Sequence, residues 1–143
     1  MRAVLVRHGR AGRRKEWTGV DRLRPLDERG RRQAAGLVGP LKALGVDRLV
    51  SSPYVRCVQT LDPAAASLGL DLEQRDELAE GASASDVRSL LRNFDGATPA
   101  LCTHGDVVEE LLGERLALKK GAARVLEVVD GEVRLGEEIP PPA

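Results

Sequence analysis

The stretch RAVLVRHG, at residues 2–9, decides how this chain folds. Residues 2–7 form a short apolar and β-branched run, which predicts a buried strand with His8 just beyond its end. A second apolar run, at 99–103, is followed in the same way by His104, and both histidines precede a glycine. Ligands bind at the carboxyl ends of the strands in parallel α/β sheets. We therefore expect both histidines at the functional edge of one sheet.

Helices and strands alternate along the rest of the chain. Further strands are predicted at 47–51, 70–74, 123–129 and 132–135, and helices from Asp27 to Leu44, from Pro53 to Leu68, from a cap at Ser85 to Asn93, and over 106–112. This alternation predicts an α/β, three-layer sandwich with a mainly parallel sheet and helices on both faces. With 143 residues and no linker or repeat, the chain is expected to be a single domain over 1–143. Prolines 140–142 are expected to form a frayed end.

Composition narrows the class of protein. With 42% hydrophobic and 31% charged residues, the chain is expected to be soluble and globular, and no apolar run approaches the ~20 residues of a membrane span. The first residues become charged too soon for a signal peptide, which predicts a cytoplasmic location. An aromatic content of 2% and the lack of a binding motif argue against a nucleic-acid partner. The two cysteines lack CxxC spacing, so neither a metal nor another cofactor is predicted.

Charge is distributed unevenly along the chain. Up to residue 60 there are 14 basic and 5 acidic residues, a net charge of +9, and the remainder carries −9, so that the whole is neutral. Residues 9–26 form a long loop rich in arginine, and long loops without secondary structure usually serve a function. Either the positive half lines an anion site, or these charges are simply solvated helix faces.

The stretch SSPYVRCVQT, at 51–60, begins at another predicted strand end. A helix starting there offers free backbone N–H groups to an anion, and Arg56 lies in its first turn. Because a guanidinium group presents a planar set of donors that fits phosphate oxygens, Arg7 and Arg56 could clamp one phosphoryl group. Taken alone, Arg56 could equally be a solvated helix charge.

Three motifs thus occur in order: RHG at 7–9, SSP at 51–53 with Arg56 behind it, and THG at 103–105. Together they resemble the three signatures of the histidine phosphatase superfamily, which has the phosphoglycerate mutase-like fold. The segment LDERG at 26–30 is similar to the helix start of that family, with aspartate in place of threonine as the cap.

The resemblance implies a role for each matching residue. His8 corresponds to the nucleophile, which becomes phosphohistidine, and Arg7 and Arg56 correspond to the two phosphate-binding arginines. His104 corresponds to the second histidine of the pocket, which hydrogen-bonds the transferred phosphoryl group. A nucleophilic histidine must be unprotonated on the attacking nitrogen, and two nearby guanidinium groups disfavour the imidazolium form. No metal is required for this chemistry.

The proton donor is left with alternatives. Larger family members carry a Leu-x-Glu pattern before a glycine, and LAEG at 78–81 fits that pattern, so Glu80 is the first candidate. Glu77 and Asp76 remain open as alternatives, because the shortest members depart from the pattern here.

Two kinds of substrate fit a chain this short. It resembles both the compact phosphohistidine phosphatases and the phosphatase half of two-domain Nudix fusion hydrolases, so the partner is expected to be a protein phosphohistidine or a phosphorylated small molecule such as a nucleotide. The expected substrate contacts are Gly9, Arg14, Lys15, Trp17 and Gly105, with Arg14 and Lys15 able to hold a second phosphate and Trp17 able to cover a ring.

Two questions stay open. The loop at 10–24 could be mobile and merely solubilising, and the chain could be a phospho-ligand binding or regulatory module with little turnover. Nothing in the residues indicates the oligomeric state.

Overall fold

The computed structural model describes all residues from 1 to 143. The strands are β1 (Arg2–Arg7), β2 (Arg48–Ser51), β3 (Leu72–Gln74), β4 (Pro99–Thr103), β5 (Ala123–Val129) and β6 (Glu132–Ile139). The helices are α1 (Glu28–Gly36), α2 (Val38–Ala43), α3 (Val55–Leu68), α4 (Ala84–Arg92) and α5 (Gly105–Leu112). Single 3-10 turns lie at 14–16, 21–23, 76–78 and 114–116. None of the helices has the length and apolar character that crossing a membrane requires.

All six strands join one sheet in the order β3-β2-β4-β1-β5-β6. The first four strands in that order are parallel, whereas β5 runs antiparallel to β1 and β6 antiparallel to β5. The last pairing follows from the two-residue turn at Asp130 and Gly131, which have φ angles of 52° and 80°. Two successive residues with positive φ form the tight turn typical of antiparallel hairpins. The predicted α/β sandwich with a mainly parallel sheet is confirmed.

The two faces of the sheet bury separate apolar clusters. Alternate residues of a strand point to opposite faces, so that Val4 and Val6 pack with Leu37 and with residues of α2 and α3, whereas Leu5 packs with α4 and α5. Each helix layer therefore covers one face of the central strands β1 and β4, which are buried on both sides. This burial fixes the position of the residues that follow these strands.

The helix predicted from Asp27 to Leu44 is two helices. Its start is as expected, because the side chain of Asp27 accepts a hydrogen bond of 2.8 Å from the amide of Gly30. The helical conformation is interrupted between Gly36 and Val38, where Leu37 lies in a turn. Pro40 has no N–H group to donate to the carbonyl of Gly36, so one backbone hydrogen bond of a continuous helix is missing at this point.

Two other helix starts differ from prediction. The helix α3 begins at Val55 and not at Pro53, because Ser52 to Tyr54 form a separate turn in which the Ser52 hydroxyl accepts a 3.2 Å hydrogen bond from the amide of Tyr54. The cap of α4 is Ser83 and not Ser85, because Ser83 and Asp86 form a reciprocal capping box.

The C-terminal part is more ordered than predicted. The strand β6 continues to Ile139 and not to 135, because the antiparallel register with β5 extends to the pair Ala123 and Ile139. The proline tail is not frayed: Pro142 packs so closely on Gly36 that a β-carbon at Gly36 would overlap it.

Candidate active site

His8 and His104 follow the neighbouring strands β1 and β4, at the carboxyl edge of the parallel part of the sheet. The amide of His8 donates a 3.1 Å hydrogen bond to the carbonyl of Thr103, which continues the strand pairing into the site. The ring centroids lie 5.4 Å apart, and both side chains are buried. The expectation that the strand ends bring the two histidines together is thus met in the structure.

His8 is held in one tautomer. Its Nδ1 lies 2.8 Å from the carbonyl oxygen of Gly9. Because a carbonyl can only accept, Nδ1 carries the proton and Nε2 carries the lone pair. Burial is the main cause that lowers the pKa of His8 to about 3. The hydrogen bond to Gly9 opposes this shift, and the neighbouring His104, Arg56 and Arg7 add to it. The imidazole is therefore neutral at neutral pH.

The glycine after His8 joins the site to the helix α3. The amide of Gly9 donates a 2.9 Å hydrogen bond to the hydroxyl of Thr60, which in turn donates a 2.7 Å bond to the carbonyl of Arg56. The Gly9 amide is therefore engaged within the protein and is not a free donor for a ligand.

His104 is fixed at one nitrogen and open at the other. Its Nε2 lies 2.8 Å from the hydroxyl of Ser52, and the ring packs edge-on against Tyr54 with centroids 4.6 Å apart. The Ser52 oxygen already accepts from the Tyr54 amide, so its own hydrogen is free to be donated to Nε2. Nδ1 is buried without a hydrogen-bond partner. A phosphoryl oxygen would provide that partner.

Arg7 crosses from β1 to the start of α5. Its Nη1 donates a 2.7 Å hydrogen bond to the carbonyl of Leu118, whereas its buried Nε has no partner. The guanidinium lies over Gly105, where a β-carbon would come within 2.8 Å of the Arg7 Cζ atom. The glycine after His104 is thus required by the path of this arginine.

Arg56 is the most deeply buried charge in the site, with 1% of its surface exposed. Its Nη1 donates to the carbonyl of Asp21 at 2.9 Å and its Nη2 to the carboxylate of Asp21 at 3.0 Å. The guanidinium also stacks on the ring of Tyr54, 4.9 Å from its centroid. Its Nε remains without a partner, so Arg56 is held in place by its outer nitrogens.

Asp21 connects the arginine-rich loop at 10–24 to the helix α3. Its carboxylate lies 2.9 Å from Nε of Arg24, 3.0 Å from Nη2 of Arg56 and 3.5 Å from Nη2 of Arg14. Burial raises the pKa of Asp21, but the hydrogen bonds from Arg24 and Arg56 outweigh it and hold the pKa below its usual value. One carboxylate thus ties three cations of the loop and of α3 together.

Glu80 lies inside the same cleft. Its carboxylate pairs with Arg14 at 2.6 Å and lies 3.7 Å from Nη2 of Arg56. The hydrogen bond and the charge of Glu80 raise the pKa of Arg14. The segment before Glu80 is fixed because the Thr103 hydroxyl donates a 2.6 Å hydrogen bond to the carbonyl of Leu78.

These residues line one open cleft with a volume of about 800 Å³. Seven of its lining residues are cationic, four are acidic and none is hydrophobic. The cations are Arg7, Arg13, Arg14, Lys15, Arg24, Arg56 and Lys120, and the acids are Glu16, Glu80, Asp106 and Glu109. Such a lining suits a small, strongly anionic ligand.

The comparison with known families agrees with this geometry. The family model of the histidine phosphatase superfamily (branch 1) matches residues 3–86. The chain belongs to this superfamily. The prediction of a short histidine phosphatase is therefore confirmed at the level of the family, and with it the prediction of a histidine-type phosphatase enzyme.

Individual relatives of this histidine phosphatase differ in their named substrates. An 8-oxo-(d)GTP phosphatase of Mycolicibacterium smegmatis is 38% identical over 97% of the chain, and the chain spans about half (48%) of that relative's length. The protein histidine phosphatase SixA, solved with tungstate, matches with a TM-score of 0.82 and 24% identity, covering 99% of this chain and 97% of that one. A mycobacterial glucosyl-3-phosphoglycerate phosphatase, solved with VO3, matches with a TM-score of 0.77 and 17% identity, covering 99% of both chains. The two structural matches show the shared fold.

Eight of the ten residues predicted for the site line the cleft of this histidine phosphatase, and two do not. Gly9 lies behind His8 with its amide engaged by Thr60. Trp17 lies on the far side of the loop, where its indole donates a 3.0 Å hydrogen bond to the carbonyl of Val20. Trp17 does not cover the cleft, because the 3-10 turn at 14–16 directs Arg14 and Lys15, and not Trp17, toward the cleft. Of the alternative acids, Glu77 pairs with Arg75 at 2.7 Å outside the cleft, and Asp76 does not line the cleft either.

Two further residues shape the site and were not predicted as site residues. Asp21 holds Arg56, and Ser52 holds His104. A signal for Asp21 was present, because it and Glu16 are the only acids in the loop from Arg10 to Arg24. Ser52 belongs to the SSP motif, but its contact with His104 depends on β2 lying next to β4.

Proposed function

We propose that this histidine phosphatase hydrolyses a phosphorylated small molecule through a phosphohistidine formed on His8. The observation that carries the proposal is a buried, neutral His8 whose Nε2 carries a lone pair beside Arg7, Arg56 and His104. A neutral imidazole among fixed positive charges is suited to attack a dianionic phosphoryl group.

The first step transfers the phosphoryl group to the protein. Nε2 of His8 attacks phosphorus, a nitrogen–phosphorus bond forms, and the bond to the leaving oxygen breaks with its electron pair kept by that oxygen. The charge spread over the three equatorial oxygens is met by the buried Nε groups of Arg7 and Arg56 and by Nδ1 of His104, all of which lack a partner in the protein. These donors are in place before the reaction, so little reorganisation is needed.

Glu80 is our candidate for proton transfer. It would protonate the leaving oxygen and then accept a proton from the water that hydrolyses the phosphohistidine, which releases phosphate and regenerates His8. Its ion pair with Arg14 and its distance of 3.7 Å from Nη2 of Arg56 hold the carboxylate inside the cleft, where a leaving oxygen would lie within its reach. The position of Glu80 in the cleft supports turnover over a module that only binds phosphate.

The cleft supports a small anionic substrate. It holds seven cations and no hydrophobic side chain, and the 38% identical relative is named for a nucleotide substrate. A protein phosphohistidine is the second candidate, because an open cleft of about 800 Å³ would also admit a side chain presented by a partner.

Hydrolysis of p-nitrophenyl phosphate by the wild type and by His8→Ala, each in excess EDTA, tests the nucleophile and the metal independence. We expect the wild type to retain its rate in EDTA and His8→Ala to lose nearly all of it. After an acid-free quench, phosphorus label should be found on the wild type as an acid-labile, base-stable group.

His104→Ala is the matched control, since it removes the other histidine of the site. It should still form the label, at a reduced rate, because the nucleophile remains. Equal rates for wild type and His8→Ala, or label on His8→Ala, would refute the role of His8. A binding module would retain phosphate binding without turnover, and faster turnover of phosphohistidine protein than of any small molecule would favour the second substrate.

A further inference from the structure

The segment from Leu118 to Gly121, just before β5, brings the side chain of Lys120 into the lining of the cleft. Its Leu118 carbonyl accepts the Arg7 guanidinium at 2.7 Å. The amide of Gly121 donates to the carbonyls of Arg7 and His8 at 3.1 and 3.0 Å. The segment is therefore bonded directly to the backbone that carries the nucleophile.

A buried glutamine fixes the same segment from the other side. Gln33, only 4% exposed, donates from Nε2 to the carbonyl of Lys120 at 3.3 Å and accepts the amide of Arg10 at 2.9 Å. The backbone of Lys120 is thus held at a set position relative to His8, and its side chain lines the cleft.

The cations of the cleft are not equivalent. Arg14, Arg24 and Arg56 all lie within ion-pair distance of Asp21 or Glu80. Two carboxylates offset part of the charge of these three arginines, and Arg14, which pairs with both of them, is poorly placed to bind the second phosphate expected of it.

Arg7 and Lys120, by contrast, have no carboxylate within ion-pair distance. Burial and the charges of Arg7, Arg24 and Arg10 lower the pKa of Lys120, as expected for a cation among cations. Arg7 and Lys120 thus place two unpaired cations in the same cleft as His8, although the charges of Glu109 and Asp106 act on Arg7 from a longer distance. Such a concentration of charge costs stability unless an anion binds there.

We propose that Lys120 binds a second phosphate, adjacent to the phosphoryl group that His8 receives, so that the substrate carries a terminal pyrophosphate. This inference rests on the proposed function. Attack by His8 on the terminal phosphorus breaks the anhydride bond, and its electron pair stays on the bridging oxygen of the departing phosphate. That leaving group requires no proton, and Lys120 neutralises the charge it gains.

Binding of two anions to the wild type and to Lys120→Ala tests this subsite without turnover. The probes are methylenediphosphonate, which cannot be hydrolysed at its bridge, and orthophosphate, both titrated calorimetrically. We expect Lys120→Ala to weaken methylenediphosphonate roughly tenfold to a hundredfold, the effect of losing one charge-assisted contact. Orthophosphate, which fills only the His8 pocket, should be weakened less than threefold.

Lys119→Ala is the matched control, because it removes the same charge from the neighbouring exposed residue, which does not line the cleft. It should leave the binding of both anions within twofold. Equal weakening of both anions by Lys120→Ala, or equal effects of the two lysine variants, would overturn the subsite.

Kinetics then separate the subsite from the proposed function. For the wild type we expect kcat/KM to be higher for a nucleoside diphosphate than for the monophosphate of the same nucleoside, and this preference should disappear in Lys120→Ala. The value of kcat/KM for inorganic pyrophosphate, compared with that for the nucleoside diphosphate, shows whether the nucleoside contributes to it. Turnover of p-nitrophenyl phosphate without a diphosphate preference would reject the subsite alone. Absence of all turnover and of label on His8 would reject the proposed function, while the calorimetry still decides whether Lys120 binds the second phosphate.

Discussion

At the scale of single residues, the chemistry of this histidine phosphatase depends on side chains that bond to the protein through some of their nitrogens and leave one nitrogen without a partner. Arg7 and Arg56 are held by their outer nitrogens, and His104 is held at Nε2. The Nε atoms of the two arginines and Nδ1 of His104 are buried without a hydrogen-bond partner in the protein. Buried polar groups without partners cost stability, which indicates that the site is arranged for an anion that would satisfy them.

His8 makes stability depend on pH. Its pKa is about 3 in the folded protein and near 6.5 when unfolded. Between these values the unfolded chain binds more protons, so the contribution of His8 is complete above pH 6.5 and is lost as the pH falls toward 3. We expect the wild type to lose up to about 1.4 kcal/mol per pH unit more than His8→Asn between pH 6 and 4.5. Urea unfolding at several pH values measures this difference, and parallel pH profiles for the two proteins would contradict it.

Glu80 should matter most when the leaving group is poor. Glu80→Gln keeps the shape of the side chain but cannot donate or accept the transferred proton, so we expect kcat/KM for an alkyl phosphate to fall by ~10²–10⁴-fold. The loss for p-nitrophenyl phosphate should be much smaller, because that leaving group needs little protonation. Glu77→Gln is the control, since Glu77 pairs with Arg75 outside the cleft. A similar loss for both substrates would argue that Glu80 only positions Arg14.

The residues that could be predicted from sequence are those whose position follows from a strand end. His8 and His104 come directly after apolar runs, and the order of the strands does not alter the edge on which they lie. Asp21 and Lys120 could not be placed in this way. Asp21 reaches Arg56 only through the path of the loop, and Lys120 is positioned by Gln33 from a distant helix.

At the scale of elements, boundaries were predicted well where local chemistry decides them and poorly where tertiary contacts do. Asp27 begins α1 as expected, through its own hydrogen bond to Gly30. The start of α3 is later than Pro53, because Ser52 to Tyr54 form a turn in which the Ser52 hydroxyl accepts from the Tyr54 amide. The same hydroxyl contacts His104, so the turn that displaces the helix start also belongs to the site.

Gly30 shows how closely α1 approaches the site. A β-carbon there would overlap the carbonyl oxygen of Arg10, two residues beyond His8. Alanine normally stabilises a helix by about 1 kcal/mol relative to glycine, but here we expect Gly30→Ala to lower the free energy of unfolding by roughly 1–3 kcal/mol, the usual cost of overpacking. The turn after His8 should move, so kcat should also fall.

Arg29→Ala, at an exposed position of the same helix without side-chain contacts in the site, serves as its control and should change stability by less than about 0.5 kcal/mol. Urea unfolding and p-nitrophenyl phosphate kinetics provide both measurements. A more stable and fully active Gly30→Ala would show that α1 can retreat from Arg10 without affecting the site.

At the scale of the whole molecule, a neutral chain concentrates positive charge on one cleft. Its net charge is zero, yet the cleft is lined by seven cations and four acids. The first 60 residues, which carry a net charge of +9, contribute six of those seven cations. An unequal charge distribution of this kind attracts anions by long-range forces, and salt weakens those forces.

Substrate capture should therefore depend on ionic strength. The screening length shortens from about 30 Å at 0.01 M salt to about 10 Å at 0.1 M, so we expect kcat/KM for an anionic substrate to fall about three- to tenfold between 0.02 and 0.3 M NaCl. Lys15→Ala, which removes a cation of the cleft, should show a shallower dependence on salt than the wild type. Arg22→Ala removes the same charge from the same loop but outside the cleft lining, so its salt dependence should match that of the wild type. Identical slopes for the two variants would mean that total charge, and not its placement in the cleft, attracts the substrate.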